Sequence, residues 1–255
     1  MANTQVRVIS VHSFRGGTGK SNLTANVAAQ MAQRGLRVGV IDTDIQSPGI
    51  HILFGLAGDE ITASLNDYLF RGVAIEDVAC DVTPAGLPGR IYLIPSSVQP
   101  GEITRVLRDG YDPQKLVHGL RQFIDRLDLQ ALLVDTHPGL QEETLLSLVV
   151  ADTLLVVLRP DKQDYEGTGI TVHVAMGLQV PRVALVVNKS PATLDAAVVQ
   201  QRVEEAYTCP VVAVIPHSDA LMNLASAGVF SLQHPDDPLN AAFAQIAGYV
   251  LDGHA

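Results

Sequence analysis

The sequence predicts one α/β domain spanning residues 1–255, a three-layer, doubly wound sheet of mostly parallel strands. Three observations carry that expectation. Short apolar, β-branched runs recur along the chain, separated by helix-length segments, which is the alternation a parallel sheet requires. Two of the runs, Leu132–Val134 and Leu154–Leu158, are continuously apolar, which marks strands covered by helices on both faces. A hydrophobic content of 47 % with 17 % charged residues supplies apolar surface for one core in a chain of 255 residues.

In chain order, Val6–Val11 reads as a strand running into a glycine-rich turn, and Lys20–Arg34 as the helix that follows. Arg37–Ile41 is the next strand. The stretch from Gly55 to Gly89 is the least regular, and Thr83–Gly89, rich in Pro and Gly, reads as a surface loop. Beyond it come strands at Ile91–Ile94, Ala131–Val134, Thr153–Leu158, Val183–Val187 and Val211–Ile215. Helices are expected at Pro113–Arg126, Gln141–Val150, Gly167–Gly177, Leu194–Tyr207, Asp219–Ala227 and Leu239–Leu251, many with Pro or Gly at their ends. No repeat or linker divides the chain.

Composition excludes several classes. The N-terminus lacks a basic stretch followed by an apolar core, since Arg7 and His12 interrupt it, so export is not expected. The longest apolar run, Leu145–Leu158, is split by Asp152 and closed by Arg159, short of the ~20 residues a membrane span needs. Cys80 and Cys209 form no CxxC pair, which disfavours a disulfide framework or a cysteine-rich metal site and fits a cytoplasmic protein. Histidines at 12, 51, 118, 137, 173, 217, 234 and 254 show no HxH or HExxH spacing, and each reads as a solvated or core residue. A net charge of −10 opposes sequence-independent binding to DNA or anionic lipid. Residues 196–255 hold one basic residue against six acidic ones, and the Arg residues at 105, 108, 121 and 126 are interspersed with acids, so DNA binding finds no support in charge. Leu239–Leu251 carries no Lys or Arg and reads as a docked core helix, not a membrane-targeting tail.

The turn Ser13-Phe14-Arg15-Gly16-Gly17-Thr18-Gly19-Lys20-Ser21-Asn22 lies between strand and helix. Glycines let backbone N–H groups curl around phosphate oxygens, the helix N-terminus adds partial positive charge, Lys20 reaches the β- and γ-phosphates and the Ser21 hydroxyl ligates Mg²⁺. The strict GxxxxGK[ST] pattern fails because Phe14 holds its first glycine position. Asp135, at the carboxyl end of a strand, faces the ligand crevice of such a sheet.

The GGTGKS segment resembles the deviant form of this turn in the ParA/MinD family of P-loop ATPases. Ile41-Asp42-Thr43-Asp44 resembles that family's D-x-D segment, Leu132-Leu133-Val134-Asp135-Thr136 its Walker B strand, and Val187-Asn188-Lys189 its base-contacting Asn. Ile215-Pro216 followed by Ala225-Ser226-Ala227-Gly228 resembles its C-terminal pattern. The resemblance implies ATP and Mg²⁺ as cofactors. Gly16, Gly17, Thr18, Gly19, Lys20, Ser21 and Asn22 would cradle phosphate, while Asn188 and Pro216 would meet the adenine. Asp44 would position the attacking water. Ser21, Asp42 and Asp135 would hold Mg²⁺, largely through water, with Asp42 contacting that shell or Lys20. Position 191 is Pro, where a guanine reader of NKxD type would carry a carboxylate, so ATP is favoured over GTP.

Arg15 stands where the family carries a signature Lys that reaches the partner's phosphates across a dimer. A planar fork replaces a point charge there, so the geometry of that contact changes; Lys162 is the other candidate for the cross-dimer cation. The resemblance implies a slow, partner-stimulated ATPase, an ATP-dependent homodimer that positions or partitions a cargo through an adaptor protein. The alternatives are an assembly or maturation ATPase of the same superfamily, or a nucleotide-binding scaffold with impaired hydrolysis. Iron–sulfur carriers need paired cysteines and tyrosine-kinase relatives a C-terminal tyrosine cluster, neither of which this chain has.

Overall fold

A computed structural model describes residues 6–252. The chain runs through β1 (Arg7–His12), α1 (Lys20–Gln33), β2 (Arg37–Asp42), α2 (Ile50–Leu53), α3 (Leu65–Arg71), a 3-10 turn (Ile75–Val78), β3 (Cys80–Asp81), β4 (Arg90–Ile94), α4 (Pro100–Asp109) and α5 (Pro113–Arg126). It continues through β5 (Ala131–Asp135), α6 (Glu142–Val149), β6 (Thr153–Leu158), α7 (Lys162–Gly177), β7 (Arg182–Ser190), α8 (Ala196–Tyr207), β8 (Val211–Pro216), α9 (Asp219–Asn223), α10 (Phe230–Gln233) and α11 (Asn240–Leu251).

The strands form one sheet in the order β3-β4-β2-β5-β1-β6-β7-β8, parallel throughout except where β3 meets β4. This is the doubly wound architecture the apolar runs predict. From β1 the chain fills one side of the sheet and then crosses to β6 on the other, which makes the carboxyl end of β1 the switch point where ligands bind in such folds.

Side-chain alternation places a helical layer on each face. Ile9, Val11, Val40, Leu133 and Leu155 point into α1 and α11, where Phe243, Ile246 and Val250 are fully or almost fully buried. Each such side chain contributes roughly 1.5–3 kcal/mol, so α11 belongs to the core, as its uncharged sequence predicts. On the opposite face Ile41, Leu132 and Val134 pack on α5 through Leu120 and Phe123, and Leu154, Val156 and Leu185 pack on α7 and α8. Alanines at 25, 28, 29 and 32, all fully buried, let α1 lie close against the sheet without loss of helix propensity.

Four stretches differ from expectation. α7 begins five residues before Gly167, at Lys162, because the Asp161 side chain caps it by accepting from the Asp164 amide; Gly167 and Gly169 hide the helical pattern. The helix expected at Asp219–Ala227 stops at Asn223, and Ala225 and Ser226 are left-handed, with φ of 48° and 62°. The irregular stretch from Gly55 to Gly89 holds α3, which a reciprocal Ser64–Asp67 capping box starts. α4 is a further helix beyond expectation: Ile103, Val106 and Leu107 recur at helical spacing, although Val106 alone is buried. His254 lies outside the described residues.

Candidate functional site

The turn after β1 is held open by its own surroundings. The Ser13 hydroxyl donates to the Arg15 carbonyl (2.8 Å), the Gly139 amide donates to the Ser13 carbonyl (3.0 Å), and Asn188 Nδ2 donates to the Thr18 carbonyl (2.7 Å). Lys189 Nζ takes the Gly17 carbonyl at 2.8 Å. Gly19 begins α1 at φ 92°, a left-handed conformation, and a Cβ there would strike Asn188 Nδ2, so both backbone and space require glycine. Ser13, residues 16–22, Asp44 and Pro138 then line a cleft of about 200 Å³. A second cleft of about 150 Å³ shares Gly19 and Asn22 with it and is walled by Asn188, Lys189, Pro216 and Met222. The expected phosphate and base residues are thus brought together in two connected spaces. A cleft of about 430 Å³ lies elsewhere, between α5 and α6, and its walls are mostly apolar.

Acidic residues crowd beneath the turn. Lys20 Nζ bonds Asp135 Oδ1 at 2.7 Å, with both side chains almost wholly buried, and the Thr24 hydroxyl shares that oxygen at 3.2 Å. Of the two strand-end aspartates it is therefore Asp135, rather than Asp42, that takes Lys20. Asp42 sits opposite Asp135 in the sheet register and accepts from the amides of Asp44 (2.9 Å) and Gly49 (3.3 Å). Burial holds the Asp42 carboxyl well above the usual carboxylate range, and the charges of Asp135 and Asp44 reinforce this, against Lys20 and the bond from the Asp44 amide.

An excess of carboxylate over one lysine fits a divalent cation. Among the described residues no three His, Cys, Asp or Glu side chains form a closed metal cage; Mg²⁺ generally keeps several waters and is shared with substrate phosphates.

Arg15 does not reach into this cleft. Its Nε bonds Asp164 Oδ1 at 2.6 Å, its Nη2 lies 3.2 Å from both oxygens of Asp161, and its Nη1 donates to Gln163. Arg159 joins the same two aspartates. The fork is thus spent within its own subunit, on the start of α7, and Lys162 stands exposed beside it.

Sequence reasoning missed three participants. His137, read as a solvated or core histidine, donates from Nδ1 to Asp44 Oδ1 at 2.6 Å. His12 is fully buried, and its Nδ1 meets Thr136 Oγ1 at 2.8 Å. That hydroxyl donates to the Val11 carbonyl, so His12 Nδ1 carries the hydrogen and Nε2 has no partner among the described residues. Burial, with Lys20 and His137 nearby, lowers the His12 pKa to about 3. The third is Phe14, whose ring lies against Gly167 of α7 so closely that any Cβ there would collide with it. Only the proximity of His137 to Asp135 in sequence could have drawn attention to it; the other two depend on which helix covers the turn.

A parallel sheet with a strand, glycine turn, helix and strand-end aspartates at its switch point defines a P-loop NTPase. Residues 4–251 match the ParA family, described as NUBPL iron-transfer P-loop NTPase, and the chain belongs to that family. An uncharacterised ATP-binding protein of Methanocaldococcus jannaschii is 27 % identical over 98 % of this chain and 90 % of its own length. An iron–sulfur cluster carrier protein of Pyrococcus furiosus is 28 % identical over 71 % of this chain, which spans 61 % of that relative. Among solved structures, the cell division ATPase MinD of Pyrococcus furiosus superposes with a TM-score of 0.80 at 23 % identity, covering 96 % of this chain and 98 % of MinD. MinD of Pyrococcus horikoshii, complexed with Mg-ADP, superposes at 0.79 with 20 % identity, covering 96 % of each chain. These two likenesses are of fold. No helix of the described residues is long and apolar enough to cross a membrane.

Proposed function

We propose that this chain is a Mg²⁺-dependent ATPase that works as a switch, closing as a homodimer on ATP and opening on hydrolysis, with a cargo or adaptor protein as its stimulating partner. One observation carries the reading: Asp44 lines the same cleft as the glycine turn, next to a Lys20–Asp135 pair at the carboxyl ends of β1 and β5. In it, the amides of residues 16–21 and Lys20 hold the phosphates, and Asp44 orients the attacking water, a positioning role of the kind phosphoryl transfer demands. Ser21, Asp42 and Asp135 would hold Mg²⁺, which supplies charge neutralisation at the phosphates. Asn188 and Pro216 would flank adenine in the smaller cleft. Arg71, Arg108 and Arg126 are paired with Glu102, Asp109 and Glu76, which reduces the free positive charge on α3, α4 and α5 and weakens the case for DNA as the surface.

A second reading, an assembly ATPase that hands on a metal cluster, is favoured by the family description and by the carrier relative. Cys209 is buried and Cys80 half-buried, and burial raises both thiols, so a cluster would have to be held by a partner protein or between copies. Full-length protein is tested for phosphate release from Mg-ATP and sized with ADP and with ATP. Turnover and ATP-dependent dimers, both abolished in Lys20→Ala, support the switch. A monomer or dimer indifferent to nucleotide overturns it, and stable uptake of an iron–sulfur cluster by the isolated chain would favour the carrier reading.

A further inference from the structure

We infer that His137 is a positioning residue for ATP hydrolysis, acting through Asp44. The inference rests on the ATPase reading above and assigns a part to a side chain that the phosphate turn does not contain.

The Asp44 carboxylate is pinned on one oxygen only. Oδ1 accepts from His137 Nδ1 at 2.6 Å and from the Ser47 amide at 3.1 Å, while Oδ2 accepts no hydrogen bond among the described residues. Asp44 is only 12 % and His137 18 % exposed in their side chains, so the bond between them is sheltered from water. A carboxylate held this way keeps one oxygen available to accept from a water in the cleft and loses the rotation that would scatter its aim.

His137 is itself fixed. It follows Thr136, whose hydroxyl donates to the Val11 carbonyl (3.0 Å). It precedes Pro138, which lines the phosphate cleft, and Gly139, whose amide donates to Ser13 (3.0 Å). Its own carbonyl accepts from the Thr144 hydroxyl at 3.4 Å. The loop after β5 is therefore tied to the phosphate turn at one end, while its histidine grips the aspartate after β2. Gln46 Nε2 also donates to Gln141 Oε1 across the same two loops at 2.9 Å, but His137 is the side chain that bonds Asp44 itself.

The test is a kinetic cycle on the full chain with Mg-ATP, using His137→Leu, His137→Asn and Asp44→Asn alone and combined. His137→Leu should lower kcat about tenfold or more and leave ATP binding, followed by a fluorescent ATP analogue, within about twofold. His137→Asn, whose amide nitrogen falls near the place of Nδ1, should recover much of the loss. In the Asp44→Asn background, His137→Leu should cost little further, because its effect passes through Asp44. A wild-type kcat in His137→Leu, a full additional loss on top of Asp44→Asn, or no recovery in His137→Asn overturns the inference. Wild-type protein that binds ATP and never hydrolyses it overturns the ATPase reading and this one with it.

Discussion

Acidifying the protein should destabilise it in part through His12, and the size of that part follows from the burial of its ring. The imidazole titrates near 6.5 in an unfolded chain and at about 3 in the folded one. Between those values the unfolded state binds a proton that the folded state refuses, so the stability His12 contributes is complete above pH 6.5 and is lost as pH falls. Between pH 7 and pH 5 the loss amounts to about 2 kcal/mol. Any folded value below about 4 leads to the same figure, since the unfolded imidazole sets it over that interval. In a chain of this length the loss lowers Tm by about 4–8 °C. The control is His12→Asn, whose amide retains a donor toward Thr136 but does not titrate. Urea midpoints measured from pH 5 to pH 7.5 should fall more steeply on acidification in the wild type than in the variant. Parallel curves for the two proteins would refute the reasoning.

Asp42 should oppose this trend. Its carboxyl is raised above 3.8, so its contribution is complete below that value and is lost as pH rises toward the folded pKa; removing that residue as Asp42→Asn should flatten the alkaline side of the same urea series. Gly167→Ala should destabilise by about 1–3 kcal/mol because the new methyl meets Phe14, whereas in a Phe14→Ala background the same change should be neutral or stabilising, as Gly to Ala in a helix normally is; thermal melts of the four proteins decide it. Asp164→Asn removes the buried carboxylate, 2 % exposed, that Arg15 and Arg159 share, and should cost about 2 kcal/mol in urea denaturation. Mg-ADP should raise Tm in proportion to the logarithm of its concentration, and Lys20→Ala should erase that rise.

The fold was largely legible because burial leaves a periodic trace. Strands covered on both faces, such as Thr153–Leu158, are buried at every position and therefore apolar at every position after the first. α4 carries only a short trace, Ile103, Val106 and Leu107 in a mostly solvent-exposed helix, and α3 is announced by its Ser64–Asp67 cap together with Leu65, Tyr68 and Leu69. The start of α7 was hidden by its polar composition: Asp161, Gln163 and Asp164 meet Arg15, Lys162 is exposed, and the helix starts on the Asp161 cap. Surface helices and helix starts are decided by local polar contacts, which a hydrophobicity pattern does not record.

The site divides along the same line. Gly16 to Asn22, Asp42, Asp44 and Asp135 were legible because backbone geometry and charge at strand ends allow few substitutes. Arg15 was legible as a cation but not as a cis partner, because Asp161 and Asp164 lie almost 150 residues away in the chain. That placement bears on how a dimer switch could use it. To reach a partner's phosphate, Arg15 would have to abandon charge-assisted bonds to Asp164 and Asp161, each worth about 1.5–3 kcal/mol when sheltered and less where the fork is exposed. Turning a two-state equilibrium from mostly open to mostly closed needs about 5.5 kcal/mol of differential affinity, so the latch is of a size that nucleotide binding could overcome, while thermal motion alone would open it only as a minor population. Phe14 wedged against Gly167 ties the same turn to the same helix. Whatever moves α7 must therefore move the phosphate turn, which makes the start of α7 the place from which a partner could govern turnover.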